Sequence, residues 1–307
     1  MRTEQGILQT SIGVTVFVAC FGIVFGILTG SFSISFDGVY SLADASMTIL
    51  ALIVSRLIAN YTSNAGSARL RERFSLGFWH LEPIVLGMNG VLLMGVSIYA
   101  LITAISSLFA GGHTLKFDYA IIYAAVTLVV CLAMAFIARR ANRSLGSEFV
   151  ALDATAWLMS AGITAALLVA FSGGYLVNGT RLAWITPYID PAVLALVCLV
   201  IIPMPVATVR QALADILLIT PEALKSHVDA VAASVVEKYG FLSHRAYVAK
   251  VGRLNQVELY FIVPHGLPPK TIEEWDQLRD EIGDAIGDEG PDRWLTIAFT
   301  ADKTWAE

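Results

Sequence analysis

Two carboxylates interrupt an otherwise apolar stretch: Asp37 and Asp44, in "SFDGVYSLADASMTI" from Ser35 to Ile49. On a helix advancing 100° per residue, Asp44 falls about 20° from Asp37, two turns further along the same face. Ser41, Thr48 and Ser55 lie close to that line, with Tyr40 about 60° to one side. The same arithmetic puts Asp153, Trp157, Ser160 and Thr164 on one face of a later apolar run. An Asp near the centre of a bilayer costs about 2.5–3.5 kcal/mol on the insertion scale. Such residues face a bundle interior or a wet cavity and mark a path for ions or protons. The plainer reading is an Asp at a helix end that caps backbone N–H groups. That reading competes for Asp37 and Asp153, each near the start of its run, and it is preferred for Asp190, just before Pro191. Asp44 lies deeper and is the strongest functional candidate.

Composition says what must position these groups. The 307 residues are 56% hydrophobic and 15% charged, with a mean hydropathy of +0.69. Soluble domains run about 45–50% apolar and about 25% charged. A spanning helix needs roughly 20 predominantly apolar residues. Six runs qualify: Leu8–Leu28, Ile34–Ile58, Pro83–Leu108, Tyr119–Ile137, Phe149–Phe171 and Pro191–Val209. The first is too long, and followed too closely by a second, to read as a cleaved signal peptide. Arg69, Arg71 and Arg73 separate runs two and three, and Arg139, Arg140 and Arg143 separate runs four and five. The opposite loops hold Lys116 and Arg181. Cytoplasmic loops carry the excess of basic residues, so both termini are expected in the cytoplasm. Gly22, Gly26 and Gly30, with Gly87 and Gly90, stand at spacings that allow helices to approach closely in lipid.

Near residue 210 the chemistry changes. Residues 1–207 carry ten Lys or Arg against nine Asp or Glu, a net of +1, whereas residues 208–307 carry ten against sixteen, a net of −6. The boundary is therefore set between a six-span domain over 1–210 and an appendage over 211–307. In the appendage, 221–240 reads as an amphipathic helix opened by Thr220 as N-cap and closed by Gly240. "RAYVAKV" and "QVELYFIV" alternate like strands, separated by residues 252–255. "PKTIEEWDQLRDEIGDAI" reads as a second helix and "RWLTIAFTA" as a last strand. The αββαβ order suits a small ferredoxin-like α+β sandwich. Such a domain could bind a regulator or pair with its own copy, and its sixteen acids argue against nucleic acid as a partner.

"GILTGSFSISFDGVYSLAD", "FSLGFWHLEP", "YIDPAVLALVCLVI" and the αββαβ tail together resemble the cation diffusion facilitators over nearly the whole chain. The resemblance implies six spans, a homodimer, a metallochaperone-like cytoplasmic domain and proton-coupled export of a divalent metal. It also implies a transport site of a His or Asp followed four residues later by Asp, once in span two and once in span five. Here those positions hold Tyr40 with Asp44, and Ala156 with Ser160. Phe74 and Phe78 stand where relatives carry His or Asp. In the tail His244 matches a family ligand, while Tyr260, Ala298 and Thr300 do not. The usual four-ligand zinc site is thus absent. A set drawn from Asp37, Tyr40, Asp44, Asp153 and Ser160 is all oxygen, which suits harder ions such as Mn²⁺ or Mg²⁺, with Fe²⁺ and Zn²⁺ as further candidates. The same carboxylates could carry protons, because a ligand must lose its proton to bind metal.

Other groups read as structural. Cys20, Cys131 and Cys198 fall within spans without ligand spacing and read as packing thiols. His80 and Glu82 are two apart and cannot share a helix face, so Glu82 is expected to pair with a nearby arginine. His113, His227 and His265 are isolated in sequence and fit surface or loop positions, and Trp157 reads as packing or as a cavity wall. No nucleophile–base set, phosphate loop or HExxH pattern suggests an enzyme, and no cofactor is implied beyond the transported ion. The expected function is a divalent-cation exporter in the bilayer. The alternative is a non-transporting relative that senses metal or regulates a partner.

Overall fold

The computed structural model describes residues 4–62, 74, 77–145 and 148–307. Arg69, Arg71 and Arg73, on which half of the charge argument rests, lie outside them. Five long helices come first: α1 (Glu4–Thr29), α2 (Phe32–Thr62), α3 (Leu81–Phe109), α4 (Phe117–Leu145) and α5 (Glu148–Val177). A 3₁₀ turn at Ala183–Ile185 leads into α6 (Thr186–Ile201), and α7 (Val206–Ile216) follows. Among the described residues six helical stretches are long and apolar enough to cross a membrane, the sixth being Ala183–Ile216. Their outward residues are large and apolar, among them Phe17, Ile102, Phe136, Val169 and Leu196, as a lipid-facing surface requires.

The chain divides into two compact units, Met1–Ile49 with Asn89–Ala207, and Leu50–Met88 with Thr208–Glu307. In the first, α1 and α2 meet backbone to backbone. A Cβ on Gly38 would lie 2.6 Å from Ile23 N and 2.7 Å from Ala19 O, and one on Gly22 would lie 3.1 Å from Gly38 Cα. Only glycine permits that approach. The small-residue spacing read in the first span is therefore a packing device.

The start of α2 is secured from a distance. Asp190 accepts hydrogen bonds from Ser31 Oγ at 2.6 Å, Phe32 N at 2.8 Å and Ser33 N at 3.3 Å. It caps α2 rather than its own helix, because α6 already begins at Thr186 with Pro187 in its first turn. The expectation of a local N-cap is corrected to that extent. Pro191 lacks an N–H, so the carbonyl of Pro187 has no partner within α6. His113 N–H fills the gap at 3.1 Å. The His113 ring is also engaged, with Nε2 3.2 Å from Asp190 Oδ2 and Nδ1 3.2 Å from Ser107 Oγ. Contact with Asp190 raises the His113 pKa above its ordinary value. His113 is therefore not the isolated loop residue that its sequence context suggests, and His227, 3.0 Å from Ile286 O, is likewise engaged.

The second unit contains the α+β domain: α8 (Glu222–Tyr239), β1 (Ser243–Val251), β2 (Leu254–Ile262), α9 (Ile272–Ile286) and β3 (Arg293–Thr300). The sheet order is β1-β2-β3, with β1 antiparallel and β3 parallel to β2. Strand alternation turns Val257, Leu259 and Phe261 inward. They join Val228, Ala232 and Val235 of α8 and Leu278, Ile282 and Ile286 of α9 in one core. Pro221, with no side-chain cap, occupies the N-cap of α8 in place of the expected Thr220, while Gly240 closes it at φ 67° as read. Thr271 and Glu274 form a capping box on α9. The hairpin turn is shorter than the sequence suggests. Val251 pairs with Leu254, so Gly252 and Arg253 alone make it and Asn255 belongs to β2.

Glu82 pairs with an arginine distant in sequence, while the nearby Arg69, Arg71 and Arg73 lie outside the described residues. Arg253, at the hairpin turn, grips it with Nε and Nη2 each 3.0 Å from a carboxylate oxygen. Gly252 has φ 62°, and a Cβ there would lie 3.1 Å from Trp79 O, so both conformation and space demand glycine. Trp79 Nε1 donates to Asp292 at 3.4 Å. The start of α3 and the hairpin thus belong to one folded unit, which no local sequence pattern announces.

Candidate intramembrane cation site

Within the first unit a cavity of about 190 Å³ lies among α1, α2, α4, α5 and α6. All five candidate residues line it: Asp37, Tyr40, Asp44, Asp153 and Ser160. Helical periodicity accounts for this. Ser33, Ser41 and Thr48 continue the α2 stripe, and Ala156, Trp157 and Thr164 continue that of α5. The two polar faces deduced separately along the sequence look into one space.

Each carboxylate is anchored differently. Asp37, in the second turn of α2, accepts from Tyr123 Oη of α4 at 2.8 Å instead of capping its own helix. Among the described residues Asp44 receives only the amide of Asn89 in α3, with Nδ2 3.4 Å from Oδ1. The amide nitrogen must face the carboxylate, since the carbonyl there would be repelled. This leaves Asn89 Oδ1 buried without a hydrogen bond. Asp153 Oδ1 accepts from Ser11 Oγ at 2.6 Å, and Ser11 in turn accepts from Trp157 Nε1 at 2.7 Å. Among the described residues its second oxygen, Oδ2, is buried without a hydrogen bond, as is Thr127 Oγ1 on the cavity wall. A buried polar atom left unpaired costs about 1–3 kcal/mol. Three such atoms on or beside one cavity describe a space shaped for something polar.

The carboxylates share the cavity without closing on a point. Among the described residues no three His, Cys, Asp or Glu side chains lie close enough to hold one metal ion together. An ion here would be held by one or two carboxylates, with hydroxyls, amide oxygen and water completing its shell. Zinc's compact tetrahedral N and S sets are not available. Cys131 lines the wall beside Thr127, whereas Cys198 packs with Phe36, Ala100 and Leu194. Sequence reasoning missed Ser11, Asn89, Tyr123 and Thr127. Each is a polar residue within an apolar run, which is the available signal, but nothing local says which helix it will face.

Residues 8–217 match the family model of the cation efflux transmembrane domain. The chain belongs to the cation efflux family. It is an integral, multi-pass membrane protein and a cation transporter by family, in a group of transporters and not of enzymes. Compared individually with curated proteins, the chain matches none.

Proposed function

We propose that this protein exports a divalent metal cation from the cytoplasm in exchange for protons, through an oxygen-rich site centred on Asp44. The observation that carries the reading is the convergence of five oxygen-bearing side chains, from two helices, on a single cavity. Oxygen donors favour Mn²⁺ or Mg²⁺ over softer ions, with Fe²⁺ and Zn²⁺ as weaker candidates. Asp44 is the natural first ligand, because its one partner among the described residues is a long amide contact that an incoming ion can replace. Asp37, Tyr40, Asp153 and Ser160 complete the set, and carboxylates that give up protons to bind the ion provide the coupling. The basic residues Arg139, Arg140 and Arg143 at the end of α4 support cytoplasmic termini. Residues 211–307 then form a cytoplasmic domain that pairs two copies of the chain.

A second reading rests on Ala156 and Ser160, where the family's usual pattern places metal ligands. It makes the protein a non-transporting regulator. One experiment separates the two: flux of Zn²⁺, Mn²⁺, Fe²⁺, Co²⁺ and Mg²⁺ into proteoliposomes under an imposed pH gradient. Flux of one ion, abolished in Asp44→Asn, supports the exporter. No flux above empty liposomes from folded protein overturns it and favours the regulator.

A further inference from the structure

The second unit holds a larger cavity, about 530 Å³, whose walls have no part in the site above. It lies between Trp79, His80, Pro83 and Ile84 at the start of α3, Asp215 and Ile216 at the end of α7, the β1–β2 hairpin, and Trp294 of β3. A small-molecule pocket is typically 300–1,000 Å³, mostly apolar, with a few convergent polar groups. This cavity fits that description.

Its charge is one-sided. Asp215 and Glu258 both line it, and among the described residues no Lys or Arg does. Arg253, in the hairpin turn, is committed to Glu82 through both of its contacts, and Arg293, beside Trp294, donates to the carbonyls of Gly283 and Gly287. Asp215 is only 7% exposed. Gln211 Nε2 donates to its Oδ1 at 2.6 Å, and among the described residues its other carboxylate oxygen takes no hydrogen bond. Glu258 likewise has only a glutamine amide, Gln256 Nε2 at 3.1 Å. A carboxylate facing a largely apolar cavity attracts a positive ligand more strongly than one in open water.

The kind of cation follows from the rest of the lining. A bare metal ion is disfavoured, because His80, Asp215 and Glu258 do not come close enough to ligate one jointly. Two tryptophans, Trp79 and Trp294, line the wall, and tryptophan is the best aromatic partner for an organic ammonium group. Pro83, Ile84, Ile216, Val251 and Leu254 give the apolar surface that a hydrocarbon body would cover. A ligand bearing phosphate would meet two carboxylates and, among the described residues, no arginine or lysine.

We propose that this cavity is a binding site for an organic cation, an ammonium group carried on an apolar body, held by Asp215 and Glu258 against Trp79 and Trp294. The ammonium could come from a free amine or from the choline headgroup of a lipid. The test is calorimetric titration of the full chain in nanodiscs of phosphatidylglycerol with benzyltrimethylammonium, using neopentylbenzene as the neutral isostere. Saturable binding of the cation alone is expected, weakened at least tenfold by Asp215→Asn or by Glu258→Gln. These near-isosteric changes keep the fold, which circular dichroism and gel filtration of each variant verify, and Trp294→Leu removes one ring at a part-exposed position. Loss of the titration in phosphatidylcholine discs would support the site and identify the lipid headgroup as its occupant. Absence of saturable binding in phosphatidylglycerol discs, equal binding of the neutral isostere, or affinity unchanged in Asp215→Asn would overturn the proposal.

Discussion

Two regions along α2 treat buried aspartates in opposite ways. At its start, Asp190 spends both oxygens on Ser31, Phe32, Ser33 and His113. Further along, Asp44 has one long amide contact, and Asp153, facing the same cavity, has an oxygen with no partner. Both arrangements place carboxylates in an apolar setting where desolvation is expensive. The first offsets that expense with three donors on Asp190 itself, although His113 Nε2 beside it makes no hydrogen bond, and so leaves little to give a ligand. The second leaves it partly unmet. The difference separates a carboxylate that holds the fold from one with little protein bonding, as the proposed ion site requires.

The sharpest test of that contrast is Asp44→Asn. Metal flux should fall to the empty-liposome level while stability changes by less than about 1 kcal/mol, because the side chain has little protein bonding to lose. Asp190→Ala should do the reverse. It orphans three donors at about 1–3 kcal/mol each, so the denaturation midpoint in micelles should drop by the equivalent of about 3 kcal/mol or more. If Asp190→Ala instead left stability intact and abolished flux, the comparison would break. Gly38→Ala tests the scaffold common to both regions, since its Cβ would press on the backbone of α1. A loss of about 1–3 kcal/mol is expected in the same denaturation assay.

The smallest effect is a pH dependence at the Asp190 end. His113 has a raised pKa in the folded protein, owing first to its bonding with Asp190. A histidine of that kind contributes stability that is fully present below its unfolded value, about 6.5, and is lost as pH rises through the folded one. Melting temperature should therefore decline modestly from just below pH 6.5 through the range above it, and His113→Gln should flatten the decline. A decline of the same size in the variant would remove His113 from the account.

What could be read from the chain follows the range of each interaction. Periodicity revealed the polar stripes of α2 and α5, because a helix repeats every 3.6 residues regardless of its neighbours. Alternation and turn chemistry revealed the strands and helices of the α+β domain in the same way. The residues that complete those features came from elsewhere in the sequence. Asn89 is 45 positions from Asp44, Ser11 is 142 from Asp153, and Arg253 is 171 from Glu82. Asp190 was recognised as a capping residue but assigned to the wrong helix, because a side chain can serve a helix start 158 residues away in sequence. Pairings of this kind are decided by packing, which one chain's local pattern does not encode.

The glycine contact between α1 and α2 bears on how the cavity could open. Where Gly38 faces the backbone at Ala19 and Ile23, there is no layer of side chains to slip or repack. Surfaces in such contact act as a clasp and not as a bearing. Any rocking that exposed Asp44 to one side of the bilayer and then to the other would swing α1 and α2 as a single lever, with Ser11 and Asp44 carried on the same arm.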